Sequence, residues 1–233
     1  MFLFIRFTAL LILIFSVAVF SSCGEVSPFT GKQYDVERPL VLPESVSPRP
    51  KIAAFGDSLT AGFGLAETES YPYLLQQRLD TDGFSYEVIN AGVSGDTSLG
   101  GVERIDWVLE QEGLEILILE LGANDLLRGV PVERMKSNLD RIIAKTREKN
   151  VTVLLCGMLA PPSMGNDYQR EYTAAFPALA DKYGVAYLPF LLEGIALNRG
   201  LNQADGIHPN AEGTRIMTEN VYRELKPLLN KKS

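Results

Sequence analysis

Beyond Pro50 the chain predicts an α/β fold, a three-layer sandwich with a central parallel sheet of about five strands and helices on both faces. Two observations carry that expectation. Short apolar runs alternate with amphipathic stretches of helical period, and the residues with chemical potential fall in the loops that follow the apolar runs. The strands are expected at 52–55, 86–90, 116–121, 151–156 and 185–188.

Taken in order, residues 1–20 hold one charge, Arg6, and an apolar run through Phe20, followed by Ser21-Ser22-Cys23-Gly24. This reads as a secretory signal over 1–22 with a small-residue cleavage site. The apolar run is a little long, so an uncleaved membrane anchor is the alternative. Residues 24–50 contain Pro28, Pro39, Pro43, Pro48 and Pro50 without sustained periodicity. Such a segment stays extended, at roughly 3.1 Å per residue where it is polyproline-like, and serves as a spacer. The alternative is a segment wrapped on the domain surface through Tyr34, Leu40 and Val41.

The first run, Ile52-Ala53-Ala54-Phe55, stops at Gly56 and leads into Asp57-Ser58-Leu59, a small-residue turn of the kind that presents a hydroxyl at a sheet edge. A helix is expected from Ser70, a cap followed by Pro72, and another from Thr97 or Ser98 with Val102, Ile105 and Leu109 on one face. A third begins at Pro131, repeats Val132, Met135, Leu139, Ile142 and Ile143 at helical spacing, and ends near Asn150. Two more span 167–183, with a kink expected at Pro177, and 209–229. Ser58 then follows the first strand, Gly95 the second, Asn124 the third, and Asp205 with His208 lies beyond the fifth. In an open parallel sheet these loops share the carboxyl edge, where ligands bind.

Ser58 is the candidate nucleophile, and activation requires a base and an orienting group. The chain has one histidine, His208, in Asp205-Gly206-Ile207-His208-Pro209. A carboxylate three residues before the only imidazole could supply the other two members of a Ser-His-Asp set. Each residue alone has a plainer reading. Ser58 could cap a helix, Gly95 could permit a positive φ, Asn124-Asp125 could be a self-capping turn, and Asp205-Gly206 a turn beside a solvated histidine. Their joint placement on one edge favours catalysis.

Gly56-Asp57-Ser58-Leu59, Asn90-Ala91-Gly92-Val93-Ser94-Gly95-Asp96-Thr97, Gly122-Ala123-Asn124-Asp125 and Asp205-Gly206-Ile207-His208-Pro209 resemble the four ordered blocks of the SGNH (GDSL) hydrolase family. The resemblance is nearest to its bacterial arylesterase, thioesterase I and lysophospholipase L1 branch, and covers residues 51–229. It implies a flavodoxin-like SGNH fold and a triad of Ser58, His208 and Asp205 that hydrolyses esters through an acyl-enzyme. It implies an oxyanion hole made by the backbone N–H groups of Ser58 and Gly95 and the side-chain amide of Asn124. Gly64-Leu65, 126–129 and 161–168 are implied to line an acyl groove. Val19-Phe20-Ser21-Ser22-Cys23 resembles a bacterial lipobox, with Phe20 where leucine is commonest, which implies lipidation at Cys23 and an envelope location, lipid-anchored or periplasmic. The expected organisation is therefore 1–22 signal peptide, 23–50 lipidated cysteine and linker, 51–233 hydrolase domain.

Composition narrows the remaining classes. A net charge of -7 argues against nucleic acid as partner. With one histidine and no Cys-x-x-Cys, no zinc site can be built from the usual N and S ligands, so neither metal nor other cofactor is expected. No Gly-x-Ser-x-Gly elbow occurs, and Gly62-Phe63-Gly64 lacks the third glycine of a dinucleotide fingerprint. Asp57, Asp96, Glu120 and Asp125 could form a paired-carboxylate hydrolase, which would leave the serine and histidine unexplained. Asp57 is expected to order the turn around Ser58, and Cys156 to be a small buried apolar residue. Leu126, Leu127, Val130 and the run 158–162 place apolar surface beside the expected oxyanion hole, suited to an acyl chain. The expected substrate is a small acyl ester, thioester or lysophospholipid, handled by a monomer. The alternatives are a carbohydrate O-acetylesterase on the same fold and a non-catalytic surface lipoprotein.

Overall fold

The computed structural model describes residues 49–230. The expected signal peptide, the lipobox with Cys23, and the spacer up to Pro48 lie outside the described residues. Pro50 is buried, and its carbonyl accepts the N–H of Glu87 at 2.9 Å, so the last residue of the expected spacer is already docked on the sheet.

Five strands form one parallel sheet: β1 Lys51–Gly56, β2 Glu87–Gly92, β3 Leu114–Glu120, β4 Thr152–Cys156 and β5 Ala186–Leu188, in the order β2-β1-β3-β4-β5. The runs are continuous rather than alternating because both faces are covered. Ile52 to Phe55, Leu117 to Leu119, and Leu154 with Leu155 are all fully buried. Each such large side chain contributes about 1.5–3 kcal/mol on burial.

The principal helices are α2 Tyr71–Thr81, α3 Ser98–Leu109, α5 Val132–Glu148, α6 Asn166–Tyr183 and α7 Ala211–Leu225. Helices α3, α5 and α6 pack side by side, and α2 packs with α7, which gives the two outer layers of the sandwich. Helix α5 buries Val132, Met135, Leu139, Ile142 and Ile143, the stripe read from the sequence, and ends at a left-handed Asn150 with φ 58°. Helix α6 continues through Pro177, where a kink was expected.

Three boundaries differ from expectation. Ser70 precedes α2 but does not cap it, since its hydroxyl donates to the Glu67 carbonyl of a 3-10 turn. Helix α7 starts two residues after Pro209 because the Asn210 side chain accepts from the N–H groups of Glu212 and Gly213. It stops at Leu225, and a 3-10 turn, Lys226–Leu228, completes the segment. Two short helices that the sequence reading treats as turns, α1 Ser58–Ala61 and α4 Ala123–Leu127, complete the set.

Strand order positions the site. The chain steps from β1 to β2 at one edge, then passes back over β1 to β3 and on to the other edge. The loops after β1 and β3 therefore leave in opposite directions and open a crevice at the carboxyl end. Ser58 opens the first loop and Asn124 lies in the second.

Candidate active site

Ser58 is the first residue of α1, two residues past the end of β1. Asp57 caps the helix, its Oδ1 accepting from Leu59 N–H at 3.0 Å. The turn is tight enough to require glycine at 56. A Cβ there would sit 2.1 Å from Thr60 Oγ1, 2.4 Å from Glu120 Oε2 and 2.6 Å from the Glu120 carbonyl.

Ser58 Oγ lies 2.9 Å from His208 Nε2, and His208 Nδ1 lies 2.7 Å from Asp205 Oδ2. An ionised carboxylate can only accept, so Nδ1 carries the proton and Nε2 presents its lone pair to the serine hydroxyl. The loop is built for this. Asp205 Oδ1 accepts from the N–H groups of Ile207 and His208, and Gly206 takes the positive φ of 78° that lets the chain double back. The His208 ring, and then those two N–H groups, hold the Asp205 carboxyl down at about 2, so it is charged throughout the working range.

Two further residues, which the sequence reading passes over, seat the histidine. Gln203 Nε2 donates to the carbonyls of Phe63 and Pro209, tying the histidine loop to the chain after α1. The Phe63 ring packs 4.7 Å from the His208 ring. Neither residue has a sequence signal, because the contact that joins Gln203 to Phe63 spans 140 positions of the chain.

Gly95 and Asn124 line the same cleft as Ser58 and His208. Gly95 has φ 84°, so the conformational reading of that glycine and its placement at the site both apply. The N–H groups of Ser58 and Gly95 meet no acceptor among the described residues. The Asn124 amide differs: its Nδ2 donates to Asp57 Oδ2 and to the Asp96 carbonyl, both at 2.9 Å. An acceptor arriving beside Asn124 would share or replace one of these bonds.

The four nearby carboxylates are absorbed by the scaffold. Asp125 accepts from the N–H and hydroxyl of Ser98, which fastens α4 to the start of α3. Asp96 accepts from Arg104 Nε at 2.6 Å, and Arg104 also donates to the carbonyls of Ala91 and Gly56. Glu120 is fully buried beneath Asp57. Cys156 is a buried free thiol, as its plain reading has it.

A cleft of about 1110 Å³ runs from Ser58 and His208 along mostly apolar walls. Leu126, Leu127, 158–161 and Asn166 line it as expected, whereas Gly64, Leu65, Arg128, Gly129, Val130, Asp167 and Tyr168 do not. Arg128 instead donates to the Gly95 carbonyl, and Val130 bonds Asp125 and Tyr168. The opposite wall comes from α6, with Ala174 and Pro177, and from Phe190, Leu192 and Leu197. Among the described residues, no helix is long and apolar enough to cross a membrane.

Comparison with known proteins agrees with this geometry. Residues 54–216 match the GDSL-like Lipase/Acylhydrolase family. The chain is 38% identical to "Esterase TesA" of Pseudomonas aeruginosa, over 82% of this chain and 94% of that one. It is 33% identical to "Thioesterase 1/protease 1/lysophospholipase L1" of Escherichia coli, over 75% of this chain and 83% of the relative. The solved structure of the psychrotrophic esterase EstA from Pseudoalteromonas, in a form inhibited by monoethylphosphonate, superposes with a TM-score of 0.73 at 33% identity, covering 76% of this chain and 97% of that one. With a five-stranded parallel sheet, a serine and the chain's one imidazole in contact at its carboxyl edge, and relatives of this kind, the chain belongs to the GDSL-like lipase/acylhydrolase (SGNH) family and is a serine esterase.

Proposed function

We propose that Ser58 is the nucleophile, His208 the general base and acid, and Asp205 its orienting carboxylate, acting on acyl esters or thioesters. Ser58 Oγ attacks the carbonyl carbon as its proton passes to His208 Nε2. The tetrahedral intermediate then expels the alcohol or thiol, which takes that proton and leaves Ser58 acylated. Water, deprotonated by His208, reverses the sequence and releases the acid. The oxyanion is received by the open N–H groups of Ser58 and Gly95 and by the Asn124 amide. The observation that carries this reading is the chain of contacts from Ser58 Oγ through His208 to Asp205, at 2.9 and 2.7 Å.

The apolar cleft supports a hydrocarbon acyl chain rather than a sugar acetate, which would call for a shallow polar site. The names of the relatives, esterase and thioesterase/lysophospholipase, point to the same substrates, lysophospholipids included. The chain further carries, on this proposal, a signal over 1–22, lipidation at Cys23 and a 24–50 spacer, and works in the bacterial envelope as a monomer. Several acyl chains on one cysteine, each worth roughly 0.8 kcal/mol per buried methylene, would suffice for the anchor.

The test is hydrolysis of p-nitrophenyl butyrate by the wild type, Ser58→Ala and His208→Ala. Both variants are expected to lose activity while keeping their circular dichroism. Wild-type rates in either would remove that residue from the mechanism. Competition between acetylated xylan and medium-chain acyl esters tests the substrate reading, with the acyl esters preferred. Intact-mass analysis of the envelope fraction tests lipidation, which fails if Cys23 carries no acyl mass.

A further inference from the structure

Beneath Ser58 lie two carboxyl groups, Asp57 and Glu120, neither with any exposed surface, joined through the Asp57 backbone N–H, which donates to Glu120 Oε2 at 3.1 Å. Two charged carboxylates cannot share such a site, so one proton must reside on the pair. The surrounding donors indicate where. Asp57 Oδ1 accepts from Leu59 N–H and Oδ2 from Asn124 Nδ2, so both of its oxygens are acceptors. Glu120 Oε2 accepts twice, from Asp57 N–H at 3.1 Å and from the Thr60 hydroxyl at 2.8 Å. Three of the four oxygens are thus committed as acceptors. The fourth, Glu120 Oε1, is buried and has no hydrogen-bond partner among the described residues.

We infer that Glu120 is a neutral carboxylic acid in the working enzyme, its proton on Oε1, and that Asp57, kept ionised by it, is the positioning residue that orients the Asn124 amide toward the oxyanion. The inference rests on the reading of Asn124 as an oxyanion donor. It assigns to the aspartate before the nucleophile a task beyond capping α1. A neutral Asp57 would hold only one of its two N–H donors properly, and would leave the Asn124 amide held by the Asp96 carbonyl alone.

The neighbouring groups agree with this assignment. Burial pushes Glu120 well above the carboxylate range and raises Asp57 less, to about 6, since the Leu59 N–H and the Asn124 amide favour its charge. The other titratable groups that face the pair are His208, on the side of Asp57, and Tyr71, Cys156 and Tyr172, on the core side. Burial pushes the tyrosine hydroxyls and the thiol upward, so those three stay neutral and supply no competing charge.

The isosteric amides separate the two carboxyls. In the full chain, Glu120→Gln replaces a neutral acid with a neutral amide and is expected to keep kcat within about threefold of the wild type. Asp57→Asn turns an acceptor oxygen into a donor facing another donor. It is expected to lower kcat about a hundredfold, the lower end of losing one oxyanion donor, with KM little changed. The reverse order, or equal damage from both, overturns the assignment. An infrared difference spectrum at pH 7 reads the proton without turnover. The wild type should show a protonated carboxyl C=O band that Glu120→Gln lacks and Asp57→Asn keeps. A wild type without that band, or a band that survives Glu120→Gln, refutes the inference even if Ser58 proves to be the nucleophile. Loss of the Ser58 mechanism would leave the infrared result standing on its own.

Discussion

Arg104 offers the sharpest test of how the scaffold holds the loop that carries Gly95. From α3 it donates to Asp96 Oδ2 at 2.6 Å, to the Ala91 carbonyl at 2.8 Å and to the Gly56 carbonyl at 2.9 Å, and its guanidinium sits 3.9 Å from the centre of the Phe55 ring. One side chain thus ties the ends of β1 and β2 to the residue whose carbonyl anchors the Asn124 amide. In Arg104→Met the aliphatic stem is kept and the three donors are lost. Breaking a buried ion pair from one side costs about 3–5 kcal/mol, because the other charge stays behind. Here the side chains of Arg104 and Asp96 remain 21% and 14% exposed, so residual hydration places the loss near the lower figure, about 3 kcal/mol. For a domain of this size each kcal/mol moves the melting temperature by about 2–4 °C, so the expected fall is about 10 °C. Displacing the loop should also lower kcat about tenfold or more, since misplacement of about 1 Å can cost a hundredfold. Thermal unfolding by circular dichroism and p-nitrophenyl butyrate kinetics measure the two effects. Adding Asp96→Asn should recover part of the stability, because no stranded charge then remains. A melting temperature within about 2 °C of the wild type, with unchanged kcat, would show that the clamp bears no weight.

Gly56→Ala should cost about 3 kcal/mol or more by overpacking, since the new methyl meets Thr60 Oγ1 and both the side chain and the carbonyl of Glu120; an unchanged urea midpoint contradicts the close approach. Asn124→Ala should lower kcat about a hundred- to a thousandfold with the fold retained, and a loss under about threefold removes that amide from the oxyanion hole. Asp205 gains its stabilisation from a lowered folded pKa, so the gain is complete above its ordinary value of 3.8 and vanishes as pH falls through about 2. The stability difference between the wild type and Asp205→Asn should accordingly be constant above pH about 4 and close by about pH 2; a difference that persists below that refutes the assigned cause.

The strands were legible because burial on both faces writes them as unbroken apolar runs, and the expected 52–55 and 116–121 fall within one or two residues of β1 and β3. Helix α5 was equally plain, since five residues repeat at its period. Helices α1 and α4 were not, being too short at four and five residues to show a period. Within the site, Ser58, Asp205 and His208 could be named from type and spacing. Arg104 could not, because an arginine on an amphipathic helix reads as solvent-facing until the strand ends it reaches are known. Glu120 was visible as a carboxylate near the site, but its pairing with Asp57 depends on the parallel register that sets Gly56 beside it. The wall of the cleft from α6 and residues 190–197 carries no motif, since apolar groove and apolar core are written in the same residue types.

The most direct measurement is reaction of the active chain with an organophosphonate, followed by mass-spectrometric location of the adduct. One phosphonyl group on the peptide bearing Ser58, with activity lost in proportion and no adduct in His208→Ala, is the result expected from the contact at 2.9 Å. Full inactivation with the phosphonyl group on any other residue would contradict it.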